Sequence, residues 1–289
     1  MNSSKWFSEL EKTPGISYIP EEIYITDNPL VMPLTHEPQK NEVIIACLCT
    51  QGEIRGCINL VPFCAKASGL LVILPDQILE YEGVSDDFQG IFIIMSKQFT
   101  GKFNIPEALP VFISVRSIPY LQLNEKELQA ILYYYTMIQT VLENIKEELN
   151  RKAIVNHLTI AFFYGLGYYL HKLDDKNKKT RNEVIVEDFL KLVQKHYKQE
   201  RSLAFYADKL CLTSKYLSVV VKSSSGKTGR QWIDSYVILE AKSLLKSTGM
   251  TVQQISDELN FASQSFFGKY FKREAGMSPA QYRSDKSTK

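Results

Sequence analysis

The apolar positions of the chain change period twice. Between residues 41 and 96, short apolar runs (43–50, 53–61, 69–74 and 88–96) are separated by Gln51-Gly52, Val61-Pro62, Pro75-Asp76 and Glu82-Gly83. Runs of this length and spacing predict an antiparallel β-sandwich or small barrel. A mixed α/β unit would need helical periods between the runs, and they are missing. In the second run Ile54, Gly56, Ile58 and Leu60 fall on one face while Arg55 and Asn59 fall on the other, as the two-residue period of a strand requires. Residues 1–38, rich in Pro, Ser and Glu, predict an irregular lead-in with one strand.

At Leu123 the period becomes helical. Asn124 and Glu127 have the spacing of a capping box. Leu128, Ile131, Tyr135, Ile138, Leu142, Ile145 and Leu149 then follow at alternating steps of three and four, a seam of about three heptads on a helix of roughly 25 residues. Such a seam serves either a homodimer interface, carried here by Leu128, Ile131, Tyr135, Ile138, Leu142 and Ile145, or the cover of the chain's own sheet. A second helix is predicted at 152–173, and the apolar-free stretch 174–181 reads as a linker. The predicted layout is a β-rich domain at 1–122, a helical dimerisation segment at 123–173, a linker at 174–182 and an all-helical domain at 183–289.

The helical domain repeats itself. Leu203, Tyr206, Asp208, Leu210 and Leu212 recur 49 residues later as Val252, Ile255, Asp257, Leu259 and Phe261. Past the turn the offset is 50, pairing Leu217 with Phe267, Val221 with Phe271, Lys222 with Lys272 and Gly226 with Gly276. Each copy predicts two helices joined by a tight turn, the helix-turn-helix that places its second helix in a DNA major groove. The turns fall at Cys211-Leu212 and Asn260-Phe261, where Asn tolerates the left-handed backbone. Ala204, Ala207 and Leu210 are expected to be buried in the first copy, with Ile255 and Leu259 in the second. A long connector helix runs between the copies, bringing the expected helix count of the domain to seven.

Charge sharpens this picture. The whole chain carries a net +2, but residues 183–289 hold 17 Lys and Arg against 11 Asp and Glu, leaving the rest net acidic. A basic domain built on a doubled helix-turn-helix has the footprint of a phosphate-binding module. The outward positions of the two second helices are Ser214, Lys215, Ser218, Val219 and Lys222, then Ser263, Gln264, Ser265, Gly268, Lys269 and Lys272. Ser and Gln can read base edges, Lys can reach guanine acceptors or phosphates, and Val219 can meet a thymine methyl. No metal, cofactor or catalytic constellation is expected: His36 stands alone, His157 and His171 fall on a helix, and the cysteines lack a paired metal spacing. Five cysteines suit a reducing, cytoplasmic setting. The longest apolar stretches are too short to span a membrane, and the first residues do not resemble a secretory signal.

The C-terminal third resembles the DNA-binding domain of the AraC/XylS-type transcription regulators. The second copy carries the family's marks at Ile255, Leu259, Phe261, Gln264-Ser265, Phe267, Phe271, Lys272, Gly276, Ser278-Pro279 and Tyr282-Arg283, and the connector matches at Glu240-Ala241-Lys242 and Leu244-Leu245. Asn260 replaces the family's usual Gly, Ser256 an Ala, Val237 an Arg and Val221 a Phe. The resemblance implies an α+β chain of two domains, an N-terminal cupin-like sensory sandwich followed by dimerising helices and a C-terminal double helix-turn-helix. It also implies a sequence-specific transcription regulator without enzymatic activity. The partners expected are double-stranded DNA, a second copy of the chain, a small organic effector with Phe63, Phe92, Tyr81 and Arg55 as candidate lining, and RNA polymerase. A cupin-type enzyme with an appended DNA-binding domain is the alternative, and it would need the missing metal constellation. A helical protein–protein adaptor is a third reading, without salt-dependent DNA binding.

Overall fold

A computed structural model describes residues 3–31, 37–102, 120–174 and 180–285. Two compact units emerge, residues 1–35 with 41–177 and residues 36–40 with 178–289. The linker expected at 174–182 lies mostly outside the described residues, as does His36.

The first unit is a two-sheet sandwich backed by helices. Helix α1 (Ser3–Leu10) leads into strands β1 (Ser17–Ile19) and β2 (Ile23–Thr26), while the short β3 (Gln39–Lys40) groups with the second unit. Then come β4 (Val43–Gln51), β5 (Glu53–Ile58), β6 (Val61–Lys66), β7 (Gly69–Ile73), β8 (Ile78–Val84), β9 (Gln89–Ser96), helix α2 (Lys97–Gly101) and β10 (Tyr120–Gln122). One sheet has the order β1-β2-β9-β4-β7-β10, and in the other β5 pairs antiparallel with both β6 and β8. The larger sheet is buried on both faces. Val43, Ile45 and Cys47 of β4 face the smaller sheet, packing with Ile54, Ile58, Phe63 and Ala65. Ile44, Ala46 and Leu48 face the helices, packing with Ile131, Ile138, Leu142 and Val155. Two covered faces explain why β4 reads as a continuous apolar run rather than an alternation.

Three details depart from the sequence expectation. The run 53–61 is two strands, because Asn59 and Leu60 both take positive φ, 48° and 69°, and close a tight hairpin of the primed type. Glu82-Gly83 is no separator but part of β8, whose Leu79 and Tyr81 enter the core. The lead-in carries a helix and two strands, with Trp6, Phe7 and Leu10 buried against the inter-sheet core.

Helix α3 (Glu125–Asn144) starts on the expected capping box between Asn124 and Glu127. It ends earlier than the heptad pattern suggests: Ile145 leaves the helix at ψ 109°, and α4 (Glu148–Asp174) begins with Leu149 82% exposed. No Gly or Pro marks this break. It lets α4 return against α3, where Tyr134 stacks on Phe162 at 4.1 Å and shares a hydrogen bond with Thr159 at 2.9 Å. The seam is consequently spent on the chain's own core. Ile131, Ile138 and Leu142 are buried, and Leu128, Tyr135 and Ile145 pack against the same cluster. These positions cover the chain's own sheet, one of the two uses expected of the seam. The outward apolar positions on α3 are Tyr133 and Met137.

The second unit holds seven helices among the described residues: α5 (Arg181–His196), α6 (Leu203–Lys209), α7 (Ser214–Ser225), α8 (Gly229–Ser247), α9 (Val252–Glu258), α10 (Gln264–Ala275) and α11 (Pro279–Ser284). Their starts are written locally. Reciprocal capping boxes open α5 at Thr180, α8 at Thr228, α9 at Thr251 and α11 at Ser278, each satisfying N–H groups that the first turn leaves unpaired. Connector α8 is the central beam, with Ile233, Val237, Ala241 and Leu245 buried. Its C-terminal half packs with Ile255, Leu259, Phe261, Phe267 and Phe271. In the first copy Tyr206 and Ala207 are the buried positions of α6; Ala204 is exposed and Leu210 half-buried.

Candidate nucleic-acid interface

The two helix-turn-helix copies share one backbone. Cys211 and Asn260 take the left-handed conformation at φ 54° and 52°, turning the chain between α6 and α7 and between α9 and α10. The side chain of Thr213 then accepts from the Tyr216 N–H at 3.2 Å, and that of Ser263 from the Phe266 N–H at 3.2 Å. Both second helices end at a left-handed glycine, Gly226 at φ 74° and Gly276 at φ 80°, the usual helix stop. Each is 12 residues long.

Burial separates the two sides of these helices. Leu217, Val220 and Val221 are buried on α7, and Phe267, Tyr270 and Phe271 on α10. Outward lie Ser214, Lys215, Val219 and Lys222 on α7 and Gln264, Ser265, Lys269 and Lys272 on α10, with Ser218 and Gly268 half-buried at the margin. Two of the residues proposed as readers also have structural duties. Ser263 is the exposed N-cap of α10, and Lys222 Nζ donates to the Gly226 carbonyl at 2.6 Å, an end-capping role its counterpart Lys272 does not show among the described bonds. Sequence reasoning missed Tyr216, Phe266 and Arg273, which are also exposed. The signal was available, since 216 and 266 are matched positions of the repeat.

Polar fasteners hold both second helices on the connector. Trp232 Nε1 donates to Ser225 Oγ at the end of α7, 2.8 Å away, while Tyr270 Oη of α10 donates to Asp234 Oδ1 at 2.7 Å in a buried contact. Arg230 Nε pairs with the other oxygen of Asp234 at 3.0 Å. Arg201, just ahead of α6, reaches across to the second copy. Its guanidinium donates to the carbonyls of Leu259 and, at 3.1 Å, Asn260, and lies 4.0 Å over the Phe261 ring. Glu240 of the connector, 1% exposed, pairs with Lys40 at 2.9 Å and Lys198 at 3.1 Å and accepts from Tyr197 Oη at 3.0 Å. Burial alone would raise its carboxyl, but the two lysines outweigh burial and hold it below the ordinary value.

In the first unit the residues suggested for an effector are placed differently. Phe63, Phe92 and Tyr81 pack together in the inter-sheet core, and exposed Arg55 pairs with Glu53 at 3.4 Å. They fill space rather than surround it. A solvent-open hollow of about 400 Å³ lies elsewhere, lined by Phe7, Glu42, Val43, Asp76 and Lys97 among others. Burial pushes the Cys49 thiol up to about 11 and also raises Cys47 and Cys57, which disfavours thiolate chemistry. Among the described residues no three His, Cys, Asp or Glu side chains gather in a way that could hold a metal ion. No described helix is long and apolar enough to cross a membrane.

Two helix-turn-helix copies on one connector define the class of the second unit, and a family model matches it. Residues 206–285 match the family model described as a helix-turn-helix domain. The match covers both helix-turn-helix copies of the second unit, from Tyr206 in the first helix of the first copy to the end of α11. The HTH-type transcriptional activator RhaS of Citrobacter koseri is 23% identical over 155 residues, covering 54% of this chain and 55% of that protein; the chain thus spans about half the length of this relative. The HTH-type transcriptional activator RhaR of Escherichia coli is 20% identical over 236 residues, covering 80% and 81%. Among solved structures, the C-terminal domain of the response regulator AraT from Geobacillus stearothermophilus is similar at 28% identity and a TM-score of 0.35, over 38% of this chain and 95% of that one.

Proposed function

We propose that the protein is a sequence-specific transcription regulator whose two recognition helices enter successive major-groove segments of one duplex. The observation that carries this reading is the doubled, identically capped helix-turn-helix whose outward faces combine Ser, Gln and Lys. The connector, 19 residues long, spans roughly 28 Å at 1.5 Å per residue, comparable to the ~34 Å turn of B-DNA. The basic charge of residues 183–289 supports phosphate contact, and the similarity to the transcriptional activators RhaS and RhaR supports regulation of transcription.

In the same reading residues 1–122 are a sensory domain for a small effector, 123–173 a helical segment for self-association, and 174–182 the link to the DNA-binding domain at 183–289. The molecule acts in the cytoplasm with RNA polymerase as a further partner and has no catalytic step. With the seam inward, self-association falls to the outward face of α3 around Tyr133 and Met137. The test of the central claim is fluorescence anisotropy with duplexes recovered from a randomised library, in a salt series. Binding that strengthens steeply at low salt and is weakened in Gln264→Ala and Lys269→Ala, at unchanged thermal midpoint, is the expected result; salt-independent or undetectable binding overturns the proposal.

A further inference from the structure

Positions at i, i+3 and i+7 share one strip of a helix. On α10 that strip is Phe266, Lys269 and Arg273; on α7 the matched residues are Tyr216, Val219 and Ser223. Tyr216 is 40%, Val219 58% and Phe266 61% exposed. With Val184 they are the exposed large hydrophobic side chains found among the described residues of the second unit, and three of the four therefore sit on the two recognition helices. Phe266 is braced on one side by Phe261, ring centroids 6.2 Å apart, which leaves the rest of its ring presented outward.

A solvated helix face has no use for these groups, because each leaves apolar area in water. A face pressed into a major groove does: the 5-methyl of thymine is the apolar group a base edge offers there, and apolar side chains read it. We infer that Tyr216 and Val219 on the first recognition helix, and Phe266 on the second, are thymine-methyl contacts. The first helix thereby selects its half-site mainly by apolar contact, while the second adds the cations Lys269 and Arg273 on the same strip. This rests on the proposal that both helices enter DNA.

The full chain selects duplexes from a randomised 40-base-pair library, a length of about four helical turns. The enriched duplex is then remade with single thymines replaced by deoxyuridine, which removes the methyl alone. The expected result is a loss of about fourfold in affinity per methyl at thymines under the first helix. Tyr216→Ala and Val219→Ala abolish that sensitivity with an unchanged salt slope, Val219→Thr retains it through its methyl, and Phe266→Ala abolishes it in the second half-site. If the wild-type chain enriches a motif but deoxyuridine costs nothing, or the alanine variants keep the full sensitivity, the thymine assignment is overturned while DNA reading stands. If no motif is enriched, the DNA-reading proposal falls and takes this one with it.

Discussion

The two helix-turn-helix copies are alike in backbone and unlike in side chains. Both turn through a left-handed residue, cap the second helix with a hydroxyl and stop it with a left-handed glycine. Inside, however, the first uses Leu217, Val220 and Val221 where the second uses Phe267, Tyr270 and Phe271. Outside, the strip 216–219–223 carries no cation and the strip 266–269–273 carries two. A fold that needs only caps, a turn and a buried stripe leaves its outward chemistry free to diverge. The same frame then presents two chemically different outward faces.

The largest effect separates the two interiors. Phe271→Ala is expected to cost about 3–5 kcal/mol in urea unfolding, through lost transfer energy and the cavity left behind. Val221→Ala should cost clearly less, since it removes far fewer buried atoms, and equal costs would mean that the aromatic core of the second copy has no special weight. Next comes the beam both copies share. Glu240→Gln removes the carboxylate shared by Lys40 and Lys198 while Lys198 keeps Glu258, and should cost about 1.5–3 kcal/mol through the lost charge-assisted bonds. Because the folded carboxyl lies below its ordinary value, its contribution is present above the unfolded carboxylate range, near pH 4.3, and is lost as pH falls through the folded value. Wild type should thus lose stability in acid more steeply than the Gln variant; parallel pH profiles would sink this account.

A smaller effect concerns binding. Lys269→Ala should weaken the selected duplex by about 1–3 kcal/mol if it reaches a base, or lower the salt slope by about one if it meets phosphate. Lys222→Ala should do less to binding, because its ammonium already caps Gly226, and a reversed order would make the first copy the stronger anchor. The smallest effect tests the turns. Relieving the left-handed strain at Cys211 with Cys211→Gly should stabilise by up to about 1 kcal/mol. Asn260→Gly should gain less, since Asn tolerates that conformation; thermal midpoints of the two variants measure the difference.

Much of the second unit was legible in the sequence because its determinants are local. The hydroxyl at each helix start, the glycine at each recognition-helix end, the left-handed turn at Asn260 and the outward polar face are all set within a few residues. The local record failed for Tyr216 and Phe266, where an apolar residue on a helix reads as core unless the burying face is known. It failed too for Arg201, whose partners Leu259 and Asn260 are 58 and 59 residues away.

In the first unit the balance shifts toward tertiary structure. The apolar runs announced strands, yet residues 43–49 are apolar at successive positions, so nothing in the run told which side would meet the second sheet and which the helices. The heptad seam announced a helix that packs, but periodicity carries no name for its partner. Packing decided that the partner is the chain's own sheet, and the return of α4 broke the helix at Ile145 without any breaking residue. The sequence by itself determined where these helices begin and where the recognition helices stop, because those follow from hydrogen bonds closed within one turn. The tertiary structure alone decided which apolar faces are spent inside the molecule and which stay exposed, because burial depends on surfaces brought together from distant parts of the chain.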